Sequence, residues 1–129
     1  MKFSVEQKDP DPVMGLVMCL LHSVTNAHIL HFSTPSRSDH TALQAFYSVI
    51  GDHVDDFVEA FQGKYGLLTV YRAEYELPAA PVEYLTYLKD EVATLRRTDK
   101  FPQDSELQNI VDEIAQLINS TLYQLRFLK

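Results

Sequence analysis

Prolines cut this chain into stretches in which apolar residues recur every three or four positions, and that spacing limits the fold to packed helices. Pro12 sits where a first helix would open, after the stiff lead-in Asp9-Pro10-Asp11. Val13, Val17, Leu20, Val24, His28 and His31 then form one stripe running to about Phe32. Pro35 marks a turn, and Ser36 with Asp39 resembles reciprocal capping of a second helix from about Ser38 to about Gly63. Leu43, Tyr47, Ile50, Val54, Phe57 and Phe61 form its core face. Pro81 opens a third helix with Val82, Leu85, Leu88, Val92 and Leu95 inward, ending at the basic pair Arg96-Arg97. After Phe101-Pro102, Ser105 with Gln108 reads as a capping box for a fourth helix. Its stripe runs from Leu107 through Ile110, Val111, Ile114, Leu117, Ile118, Thr121, Leu122 and Leu125 to Leu128. The expected architecture is all-α: a polar tail over residues 1–10, then a single four-helix bundle over 11–129 with a longer link between helices 2 and 3. Leu67-Leu68-Thr69-Val70-Tyr71 has strand-like content, but no partner strand is visible, so a loop or short cross-over helix is expected there.

Composition narrows the function. A chain of 129 residues with 46% hydrophobic content suits one domain with a modest core. The run Val13 to Leu21 falls short of a membrane span and lacks a signal-peptide pattern, so a cytoplasmic protein with no membrane association is expected. Cys19 is the only cysteine and lies in an apolar run, which excludes disulfides and thiolate metal sites within the chain. A formal net charge of −7 argues against nucleic-acid binding by charge attraction and suits an acidic surface that draws cations.

His28, His40, Asp55 and Glu59 carry the chemistry. His40 and Asp55 are separated along one rod by roughly 22 Å, too far to share an ion within a chain. Residues 40, 44, 48, 51, 55 and 59 nevertheless line one side of that rod. Two antiparallel copies crossing near Ser48 and Gly51 would bring His40 of one beside Asp55 and Glu59 of the other. His28, equally close to the Pro35 turn, would complete a set of two imidazoles and two carboxylates. Such a set suits iron, manganese or zinc. His31, Gln44, Asp52, His53 and Asp56 are candidate supporting residues. Each group also has an ordinary reading: Asp55 and Glu59 as a solvated helix face, His40 as a first-turn surface residue, His28 as a buried structural histidine.

Several of these segments resemble the Dps family of ferritin-like proteins. Asn26-Ala27-His28-Ile29 is similar to the family's Asn-x-His-Trp segment, and Phe46-Tyr47 through Asp55 to Glu59 follows its aromatic-then-acidic pattern. The spacing 28, 40, 55, 59 agrees with that of its intersubunit ferroxidase ligands. Leu122-Tyr123-Gln124-Leu125 resembles its Trp-x-Leu stretch. The likeness covers most of residues 16–63 and 105–128. The chain departs from the pattern at Thr41, usually a glutamate, at Gln44, often an aspartate ligand, and at Ile29, usually a tryptophan.

The resemblance implies a ferritin-like bundle, a two-fold dimer or larger homo-oligomer, and an intersubunit site that oxidises Fe2+ to Fe3+ with peroxide or oxygen, a ferroxidase-type oxidoreductase activity. It does not carry over DNA binding, because the tail holds only Lys2 and Lys8. A closed twelve-subunit shell is not carried over either. The alternative is a non-enzymatic four-helix dimer that binds a basic protein partner through its acidic face.

Overall fold

Helix starts are set by local chemistry wherever a side chain or a proline can satisfy the first free N–H groups. The computed structural model describes residues 11–69, 71 and 80–129, and within them the chain forms α1 (Pro12–Ser33), α2 (Arg37–Tyr65), α3 (Pro81–Leu95) and α4 (Ser105–Phe127). The tail over 1–10, Val70 and Tyr75 lie outside the described residues. Asp11 caps α1 by accepting from the Val13 N–H at 3.0 Å, with Pro12 in the first position. Ser36 caps α2 by accepting from the Asp39 N–H at 3.2 Å. α2 ends at Gly66, whose φ of 103° is a conformation glycine adopts without steric cost. Residues 66–69 form no regular element.

Two expected caps give way to tertiary bonds. Asp39 does not close a reciprocal cap with Ser36; its carboxylate pairs with Lys129 of the chain end at 3.3 Å. The capping box of Ser105 and Gln108 does not form either. The residue before α4 is Asp104, whose carboxylate accepts from Lys64 and Tyr65 of α2. Gln108 donates to the Pro102 carbonyl at 3.0 Å and accepts from Arg96 Nε at 2.8 Å.

These ties also fix the helix directions. α1 and α2 are antiparallel across the short 34–36 turn. Lys64 and Tyr65 meet Asp104 at one end of the α2–α4 pair, and Asp39 meets Lys129 at the other. Asn26, late in α1, bonds Tyr84, early in α3. Arg96 at the end of α3 reaches Asp112 at 2.6 Å, and Arg126 near the end of α4 reaches Thr86 at 3.3 Å. The four sides of the bundle are thus α1–α2, α2–α4, α4–α3 and α3–α1, each antiparallel. α2 and α3 are consecutive in sequence but parallel, so residues 66–80 join opposite ends of the bundle.

One core draws on all four helices and on Phe101. Leu43, Ile50, Val54 and Phe57 of α2 are buried as expected, with Tyr47 and Phe61 half-buried. Ala42 and Phe46 widen that face beyond the expected set. On α3, Val82 is half-buried and the other expected positions are buried. The α4 stripe holds from Leu107 to Leu125, whereas Leu128 lies past the helix and is exposed. Burial pushes the Cys19 thiol far above its usual range, which keeps it protonated. The 22-residue α1 is long and apolar enough to cross a bilayer by length and composition, more so than the run Val13 to Leu21 suggests. Of its most apolar 18-residue window, 67% is buried inside the bundle.

Candidate functional site

The turn between α1 and α2 creates a backbone acceptor that has no partner in its own helix. His31 belongs to the last turn of α1, and the residue four positions on is Pro35, which has no N–H. The His31 carbonyl is instead met by Nδ1 of His40, from the first turns of α2, at 2.9 Å. In return, His31 Nδ1 meets the His40 carbonyl at 2.8 Å. Carbonyl oxygens only accept, so each Nδ1 carries its hydrogen and in each neutral ring Nε2 is left with the lone pair. The two rings stack at 3.5 Å between centroids, 24° from parallel. His31 is 6% exposed, while His40 is open to solvent.

His28 sits beside this pair, its ring 5.9 Å from that of His31. It is stacked between Tyr47 of α2 at 4.2 Å and Phe32, one turn on in α1, at 4.7 Å. That grip fixes the imidazole plane. Among the described residues, neither ring nitrogen of His28 has a hydrogen-bond partner. The turn therefore collects three imidazoles: one buried, one clamped and half-buried, and one exposed.

The other expected site residues lie elsewhere. Gln44, Asp52, Asp55, Asp56 and Glu59 are exposed along α2. His53 turns toward α4 and pairs with Glu113 at 3.6 Å. Asp55 is fifteen residues beyond His40, about 22 Å away along the helix. A single chain thus brings His28, His31 and His40 together and leaves Asp55 and Glu59 apart. Among the described residues, no group of three or more His, Cys, Asp or Glu side chains is placed to hold a metal ion. The row expected to meet a second copy is uncovered. His40, Gln44, Ser48, Asp55 and Glu59 are exposed, Gly51 is half-buried, and a Cβ at Gly51 would meet nothing within 4 Å.

Sequence reasoning missed the aromatic clamp and the reciprocal pairing of His31 with His40. Phe32 is at i+4 from His28, a spacing that places both on one face, so half of the clamp carried a signal. The pairing carried none, because it depends on the path of the turn. Sequence reasoning also missed a buried polar contact between α1 and α3, where Asn26 Nδ2 donates to the Tyr84 hydroxyl at 3.3 Å.

Comparison with known families finds a match to a family of unknown function, DUF5856, over residues 31–125. This chain belongs to DUF5856. In this DUF5856 chain the matched segment holds all of α2 and α3 and most of α4. It includes His31, His40, Asp55 and Glu59, and it begins just after His28. No curated protein and no solved structure matches the chain.

Proposed function

We propose that this DUF5856 chain is a ferritin-like, Dps-like iron-binding protein whose site is shared between two copies. His28 and His40 of one copy and Asp55 and Glu59 of the other are the ligands in this reading. The observation that carries it is the state of the two imidazoles. His28 is clamped with both nitrogens unpartnered, and His40 is exposed with its hydrogen committed to Nδ1. A carbonyl partner on the far nitrogen is the usual support of a metal-binding histidine. The bundle supports the fold half of the reading, since four antiparallel sides with one end-to-end connection are the ferritin-like arrangement.

The donor set fits Fe2+, and by the same chemistry Mn2+ or Zn2+. Two carboxylates balance a divalent charge, and two neutral imidazoles add directional donors without adding charge. Fe2+ is the substrate. Each ion gives up one electron, and two ions reduce one hydrogen peroxide, with two protons, to two waters; oxygen is the alternative oxidant. Carboxylate oxygens favour the harder Fe3+ product. Gln44 is neutral and supplies no third charge to hold a second ion. Asp52 and Asp56 strengthen the local negative potential along the approach.

A second reading is a non-enzymatic four-helix dimer that docks a basic protein. It is favoured by the lack of any partner, among the described residues, for Asp52, Asp55, Asp56 and Glu59. Anaerobic Fe2+ titration by calorimetry on the wild type and the His40→Ala/Glu59→Ala variant, with particle mass from light scattering, separates the two. Saturable Fe2+ binding lost in the variant supports the iron site. Absence of binding in the wild type eliminates it and leaves the docking reading.

A further inference from the structure

The ring of His31 has no ligand role in the site proposed above, yet it is the group that His40 touches most closely. Each imidazole hydrogen-bonds the other residue's backbone carbonyl, at 2.8 and 2.9 Å, and the rings stack face to face at 3.5 Å. An exposed neutral histidine in water favours the hydrogen on Nε2, the nitrogen that a ligand would have to reach. Here the order is reversed, because the carbonyl left without a helical partner by Pro35 takes the Nδ1 hydrogen of His40.

We propose that His31 is a positioning residue that locks His40 in its Nδ1–H form and so leaves Nε2 as the ligand atom. Two parts of His31 act together. Its carbonyl is the acceptor that selects the tautomer. Its buried ring anchors the other side of the pair by donating to the His40 carbonyl, and it supplies the plane against which the exposed ring stacks. An exposed first-turn side chain on its own would sample several rotamers, and this pairing removes that freedom before any ligand arrives. The consequence for metal binding rests on the intersubunit reading, whereas the tautomer lock is a property of the free chain.

The test is imidazole 15N NMR on the metal-free protein, paired with anaerobic Fe2+ titration, for the wild type, His31→Leu and His31→Asn. In the wild type, His40 shows the Nδ1–H tautomer. His31→Leu keeps the residue-31 carbonyl but removes the donor and the ring that hold His40 against it. His40 then shifts from mainly Nδ1–H toward a mixture with Nε2–H, and the Fe2+ dissociation constant rises about 10–100-fold. In His31→Asn, the amide N–H reaches the His40 carbonyl as Nδ1 did, and the wild-type tautomer and most of the affinity return. A rescue of this kind separates positioning from a general loss of packing. The Nε2–H form in the wild type overturns the proposal, as does an unchanged tautomer in His31→Leu. If the wild type binds no Fe2+, the intersubunit site falls, and the tautomer of His40 in His31→Leu still decides the role of His31.

Discussion

Asn26 and Tyr84, 58 residues apart in sequence, are joined by a hydrogen bond in the buried seam between α1 and α3. The Asn26 Nδ2 group donates to the phenol oxygen, while Asn26 Oδ1 is buried with no partner among the described residues. Burial also pushes the Tyr84 hydroxyl above its usual range, so it stays neutral and available to hydrogen-bond. The seam is therefore specific and incompletely satisfied.

Removing one partner is expected to cost more than removing both. Tyr84→Phe leaves the buried Asn26 amide without its bond and should destabilise the chain by about 1–3 kcal/mol. Adding Asn26→Leu to that variant should recover much of the loss. Urea unfolding of the two single variants and the double variant checks this; strictly additive losses would show that the bond does not couple the helices.

At Gly51, self-association and stability are expected to respond oppositely to substitution. A Cβ there meets nothing within 4 Å in the isolated chain, and alanine favours an interior helix position over glycine by roughly 1 kcal/mol. Gly51→Ala should thus not lower unfolding stability measured below the association range. Gly51→Leu should shift sedimentation toward the monomer if copies cross at this row. An unchanged particle mass with leucine would place the contact elsewhere.

Lys64 and Asp104 tie the C-terminal end of α2 to the start of α4. The Lys64 ammonium, followed by the Tyr65 hydroxyl, holds the Asp104 carboxyl below its usual range, and Asp104 raises Lys64. A depressed acid stabilises the fold above its unfolded pKa of about 3.9 and loses that contribution as pH falls through the folded value. A raised lysine stabilises below about 10.4 and loses its contribution as pH rises through the folded value. The pair therefore contributes between these limits, and Asp104→Asn should flatten the fall in Tm on the acid side. An identical acid limb in the variant would remove the pair from the account. Added salt should also weaken the contribution, since the groups are solvent-accessible.

Gln44 is one turn beyond His40 on the exposed row, and Gln44→Asp would add a carboxylate there. In the proposed intersubunit site this variant should bind Fe2+ more tightly, with additional bound iron at saturation. Anaerobic calorimetry reads both. Unchanged affinity and stoichiometry would mean that residue 44 lies outside the site.

Much of the bundle was legible because its boundaries rest on short-range chemistry. Asp11 with Pro12, Ser36, and Pro81 each set a helix start through a neighbour within three residues, and the 3–4 spacing marked Leu43, Ile50, Leu85 and Ile114 as core. Failures occur where a side chain chose a distant partner over a local one. Asp39 turned to Lys129 and Gln108 to Arg96, and no local pattern records those choices. The same limit applies at the candidate site. His28 and His40 could be placed near one turn from helix rise, but the pairing of His40 with His31 depends on how residues 34–36 travel.

The end-to-end connection has a kinetic consequence. α1–α2 and α3–α4 are hairpins closed by short turns, so each half can form from contacts local in sequence. Docking the halves requires closure of the 66–80 segment, at an entropic cost that grows only as the logarithm of its length. Folding should then be limited by the meeting of two preformed halves. Substitutions at the α1–α3 and α2–α4 seams should mainly speed unfolding, while those inside a hairpin slow folding as well.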